Sequence, residues 1–119
     1  MADTHLSIRI DLASGARIGP GKITLLEAIR SQGSISAAAR SLGMSYRRAW
    51  LLVEEINQTL REPAVTAESG GVRGGGAVLT AVGQRIVDLY RLIESQARTA
   101  AGEEFRAIGK LIRPRARAN

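Results

Sequence analysis

The chain has no cysteine and one histidine, His5. Without thiols there is no disulfide and no thiolate metal site, which suits a reducing compartment such as the cytoplasm. A lone histidine near the N-terminus cannot supply a histidine-based metal cluster or a Ser-His-Asp relay. Aromatic residues make up only 3%, so aliphatic side chains have to build the core. No apolar run approaches the ~20 residues that cross a bilayer, and the start lacks the basic-then-apolar order of a secretory signal. Acidic side chains are scattered and no nucleophile has a base at a recognisable spacing. The expectation is therefore no enzyme, no cofactor, no metal and no membrane span.

What is present fits one folded domain. The 119 residues are 45% hydrophobic, enough to fold around one core. The net charge is +6, and its placement says more than its size. Residues 1–104 are nearly neutral, and the excess lies in Arg106, Lys110, Arg113, Arg115 and Arg117. Within the body, residues 28–53 hold Arg30, Arg40, Arg47 and Arg48 and no acid. That local excess is a better sign of a polyanionic partner than the global charge.

The same stretch carries the most informative pattern, Gly33-Ser-Ile-Ser-Ala-Ala-Ala-Arg-Ser-Leu-Gly-Met-Ser-Tyr-Arg-Arg-Ala-Trp50. Ser36 is placed to cap a short helix, and Ala37, Ala38 and Ala39 let a neighbouring helix approach closely. Gly43 marks a tight turn, because glycine reaches positive φ at little cost. Ser45 caps a second helix running to about Leu60, with Tyr46, Arg47 and Arg48 in its first turns. Ala49, Trp50, Val53, Ile56 and Leu60 form its inward stripe, so Trp50 is expected in the core. This is the layout of a helix-turn-helix that reads duplex DNA with the basic tip of its second helix. Arg47 or Arg48 is the expected base reader, without a choice between them. Glu54 and Glu55, further along, imply that only the tip enters a groove.

Around this unit, His5–Leu12 alternates as a half-buried strand, Ala13–Gly21 reads as a loop, and a helix spans roughly Lys22–Ser31. Val65–Ala67 and Ala77–Leu79 read as short strands flanking a glycine-rich tip that contains Arg73, in the manner of a wing. The tip lacks G-x-G-x-x-G spacing and Gly21-Lys22 is followed by Ile23, so neither is a nucleotide loop. The wing could instead be a plain turn without a ligand. Thr80 caps a long helix to about Ala101, where Val82, Ile86, Leu89 and Ile93 form a heptad-like seam suited to dimerisation. The seam could also simply cover the core. Gly102 and Pro114 suggest that residues 102–119 are a loose basic tail, either touching phosphates or merely solubilising.

The fold expected is mainly α with a small β wing: a winged helix-turn-helix over residues 1–101 with a long C-terminal dimerisation helix. Gly33-Ser-Ile-Ser36, Ser45-Tyr-Arg-Arg-Ala-Trp50 and Gly70–Thr80 resemble the N-terminal domain of the ModE family, the molybdate-responsive transcription regulators with a LysR-like winged helix. The resemblance runs from about Leu6 to about Ala97. It implies that Ser45, Tyr46, Arg47 and Arg48 lie in the recognition helix, Arg73 in the wing and residues 80–100 in the helix that pairs two subunits; these five residues, with Ser36, are the expected DNA contacts. Full-length members carry further domains that hold molybdate, so no molybdate ligand is expected within this chain. The partners implied are double-stranded DNA and a second copy. A low-specificity architectural protein and a heterodimerising partner of a full-length regulator remain as alternatives.

Overall fold

Three hydroxyls set where the helices of this protein begin. In the computed structural model, which describes residues 4–68 and 75–114, Ser34 Oγ accepts from the Ala37 amide at 3.0 Å, Ser45 Oγ from Arg48 at 3.1 Å and Thr80 Oγ1 from Gly83 at 3.0 Å. Each satisfies an amide that has no partner in the first helical turn. The capped helices are α2 (Ile35–Ser41), α3 (Tyr46–Thr59) and α4 (Ala81–Ala100). The first helix, α1 (Pro20–Gln32), opens instead on a proline, whose missing N–H costs nothing at that position. The cap of α2 is thus Ser34 and not Ser36. Gly33, at φ 82°, turns the chain after α1, α2 is capped two residues earlier than expected, and Ser36 becomes an exposed residue inside the first turn.

Helix α1 forms the centre. Its Ile23, Leu25, Leu26 and Ile29 are all buried, against Ala38 and Ala39 of α2, Ala49, Val53 and Ile56 of α3, and Val87 and Tyr90 of α4. Each fully buried aliphatic side chain contributes about 1.5–3 kcal/mol. Strands β3 (Val65–Glu68) and β4 (Gly76–Leu79) pair antiparallel, with Val65 opposite Leu79 and Glu68 opposite Gly76. The wing is joined to the body by the Ala77 amide on the Gly33 carbonyl and the Thr80 amide on the Ala64 carbonyl, both at 2.9 Å. Its tip, with Arg73, lies outside the described residues, as do Arg115 and Arg117.

The N-terminal segment departs from expectation in two ways. Burial alternates as the sequence suggests, with Leu6, Ile8, Ile10 and Leu12 facing inward. Only Ile10–Asp11 is strand, however, because its partner is just two residues long. That partner, β2 (Arg17–Ile18), lies inside the stretch read as loop and pairs with β1 (Ile10–Asp11) around a turn at Gly15. At the other end, the segment read as a loose tail forms helix α5 (Gly102–Leu111). Glu103 and Glu104 at its start and Lys110 in its last turn complement the helix dipole. No described helix is long and apolar enough to cross a membrane.

Candidate nucleic-acid interface

Helix α3 stands as a ridge between two grooves. At about 100° per residue, the buried Ala49, Val53 and Ile56 leave an opposite crest centred on Arg47 and Leu51. On one flank Tyr46, Trp50 and Asn57 line a groove completed by Ile35 and Ser36 of α2 and by Thr66 and Gly76 of the wing. On the other flank Arg48, Leu52 and Glu55 line a cleft with Arg17 and Lys22. Arg47 borders neither of these grooves and is exposed at the crest. The sequence left the two arginines equivalent; the structure separates them by a quarter turn.

The electrostatics favour the tip. Among the described residues, neither Arg47 nor Arg48 enters an ion pair, whereas Glu55 is held by Lys22 at 2.9 Å. One of the two acids that would repel a polyanion is thereby compensated. Glu54 is half-buried and accepts from Gln58 Nε2 at 3.4 Å. Ser45 uses its hydroxyl on the Arg48 amide, leaving the Tyr46 and Arg47 amides at the exposed end without intrahelical acceptors. An amide pair at a helix N-terminus favours an anion.

Trp50 is not in the core. It is 44% exposed, beside Tyr46 at 56% and Leu51 at 48%. Leu52 and Val53 occupy the arc expected for it, and the indole falls at the edge of the stripe, over the groove towards the wing. Asn57 was also missed. Its Oδ1 accepts from the Ala64 and Val65 amides at 2.8 and 3.2 Å, and its Nδ2 donates to the Val65 carbonyl at 3.2 Å. A single amide side chain therefore docks the wing onto α3. The signal was an asparagine, a poor residue for a helix interior, next to the buried Ile56 and just before a proline-bounded strand.

On α4 the core-facing residues are Gly83, Val87 and Tyr90. Val82 and Ile86 are half-buried beside Leu60 in an apolar trough, and Leu89 and Ile93 stay 39% and 45% exposed. The four seam residues thus share one outward face, while Val87 and Tyr90 do the core packing.

No family model matches the chain. It is 50% identical over 82 residues to the molybdenum-pterin-binding protein MopB of Rhodobacter capsulatus, covering 69% of this chain and 30% of that protein. It is 40% identical over 91 residues to the molybdenum transport protein ModE of Azotobacter vinelandii, covering 76% and 34%. Over 74 residues it is 46% identical to the DNA-binding transcriptional dual regulator ModE of Escherichia coli K12, covering 62% and 28%. The chain thus spans about a third of the length of the curated relatives it matches. Among solved structures, the DNA-binding domain of CbnR in complex with DNA superimposes with a TM-score of 0.57 at 21% identity, over 75% of this chain and 95% of that one. That likeness shows the fold, a winged helix. At this level of identity the chain is similar to ModE and Mop proteins over about a third of their length.

Proposed function

We propose that this domain is the DNA-binding unit of a transcription regulator linked to molybdenum metabolism, working as a homodimer in the cytoplasm and without enzymatic activity. The observation that carries this reading is Arg47, exposed and, among the described residues, without an ion pair at the crest of a serine-capped helix. From there a guanidinium can bond guanine O6 and N7 together, worth ~1–3 kcal/mol of base discrimination. Arg48, Tyr46 and Ser45 flank it and face phosphates, with Ser36 at the start of α2 holding the adjoining strand. Arg73 is proposed to reach the backbone or minor groove from the wing tip. Val82, Ile86, Leu89 and Ile93 would pair two copies, presenting two α3 helices to two half-sites. The names of the relatives support the link to molybdenum, with genes of molybdate uptake or molybdenum enzymes as targets.

The test is binding to a duplex selected from a random pool, compared with a scrambled duplex. Arg47→Ala is expected to lower the ratio of the two affinities by about ten- to a hundredfold. Arg73→Ala is expected to weaken both affinities alike. A preference unchanged by Arg47→Ala refutes the assigned role, and equal wild-type affinity for both duplexes replaces regulation with architectural binding.

A further inference from the structure

The hairpin β1–β2 is a fixed part of the body. Tyr90 Oη donates to the Ile8 carbonyl at 2.7 Å, and Ile18 lies in the core. Lys22 is the coupling group: its Nζ donates to the Arg17 carbonyl at 2.7 Å and to Glu55 Oε1 at 2.9 Å. One ammonium, 14% exposed, thereby ties the hairpin to helix α3. The cleft between them is lined by Arg9, Arg17, Lys22 and Arg48, with Glu55 the one acid in its wall. Lys22 is consumed by Glu55, and Arg9 by Asp11 at 2.9 Å. Arg17 and Arg48 are left over, both exposed and without an ion pair among the described residues. The two cations face one cleft, and one of them belongs to the tip of α3.

We infer that the N-terminal hairpin is a second phosphate-gripping element, with Arg17 holding the backbone of the same duplex on the side of α3 opposite the wing. The inference rests on the DNA-binding reading above. Its physical basis is continuity and charge: Arg48 is shared between the helix tip and the cleft, so a duplex seated on the tip carries its strand along the cleft mouth. Among the described residues, the lining of the groove on the other flank of α3 holds Glu54 and no basic side chain, whereas the cleft on the hairpin flank is lined by four cations. Gly15, Gly19 and Gly21 also line the cleft and leave room for a backbone to come close. Asp11 lies opposite Arg17 in the hairpin register, but its carboxylate is engaged by Arg9.

The experiment compares wild type, Arg17→Ala and Arg47→Ala by fluorescence anisotropy on the selected and scrambled duplexes over a salt series. Thermal melting checks that each variant is folded. Arg17→Ala is expected to weaken both duplexes by the same factor, about three- to tenfold at 0.1 M salt, and to reduce the slope of log K on log salt by about 0.9. Scanning single neutral methylphosphonate linkages should find one or two positions that weaken wild type but weaken Arg17→Ala no further. Unchanged affinity and slope for Arg17→Ala, alongside lost preference for Arg47→Ala, overturns the hairpin contact and spares the DNA reading. Failure of the wild type to bind any duplex overturns both. Saturable shifts of the Arg17 and Gly19 amides with inorganic phosphate alone, unaffected by duplex, replace the inference with a free-oxyanion site.

Discussion

Asn57 and Val65 bond each other in both directions, amide to Oδ1 and Nδ2 to carbonyl, each at 3.2 Å. Helix α3 and the wing thus share one side chain, which also takes the Ala64 amide at 2.8 Å. Ala64 and Val65 are buried, so removing the acceptor strands two amides away from water. Asn57→Ala is expected to destabilise the domain by about 1–3 kcal/mol, read from denaturant unfolding. Hydrogen exchange at the Ala64 and Val65 amides should accelerate beyond the loss in global stability, because the wing is released locally first. Uniform acceleration across all amides would show that Asn57 does not dock the wing.

Trp50 is the only tryptophan of the chain, which makes it a single-site reporter. An indole 44% exposed emits as a partly solvated group, with a maximum well to the red of a core tryptophan. Its removal in Trp50→Ala should cost less than the ~3–5 kcal/mol typical of a core aromatic. Added duplex DNA should change its emission, since the groove it lines adjoins the tip of α3. Blue emission in the free protein, with large destabilisation on substitution, would put it back in the core.

How much of this could be read beforehand depended on whether the signal was local. Ser45, Gly43 and Thr80 act on their own neighbours, and caps, turn and helix limits follow from them directly. The exposure of Arg47 also followed, because Ala49, Val53 and Ile56 define the opposite face. Trp50 failed because a stripe read at i, i+3 has a tolerance of about half a turn's arc, and Leu52 competed for the same space. Ser36 was read as the cap of α2, but the left-handed turn at Gly33 puts Ser34, two residues earlier, at that position. The hairpin cleft was not legible at all. It depends on Lys22 joining Arg17 to Glu55, which lies 33 residues further on.

Gly83 sits in α4 where the helix crosses the start of the wing. A Cβ there would lie 2.2 Å from the Ala64 carbonyl oxygen. In an ordinary helix interior Gly→Ala stabilises by about 1 kcal/mol. Here the obstacle is backbone, which has no rotamer to yield, and that carbonyl already accepts from the Thr80 amide. Gly83→Ala should therefore reverse the usual sign and destabilise by at least the ~1–3 kcal/mol of an overpacked core. Gly21→Ala, which meets nothing within 4 Å at the start of α1, is the control and should be neutral or mildly stabilising. A melting temperature raised by Gly83→Ala would show that α4 and Ala64 do not approach so closely.

Arg91 grips Glu27 through two hydrogen bonds, Nη2 to Oε1 at 2.7 Å and Nε to Oε2 at 3.0 Å, joining α4 to α1. A third bond, from Nη1 to Glu94 at 2.9 Å, keeps the guanidinium in place. The hydrogen bonds from Arg91 hold the Glu27 carboxyl below its ordinary value of 4.5, against the opposing effect of burial. A depressed carboxyl pKa adds stability that is present in full above the unfolded value and is lost as pH falls through the folded one. Because both partners remain partly in solvent, the contribution is limited to about 1 kcal/mol. Glu27→Gln should thus melt a few degrees below wild type at pH 7, with the difference shrinking below about pH 4.5 and vanishing once wild-type Glu27 is protonated. Raising salt at pH 7 should narrow the same gap only in part, since the bidentate bonds persist after screening. A difference that stays constant from neutral pH into acid would mean that shape, and not charge, is what Glu27 contributes to the seam between α1 and α4.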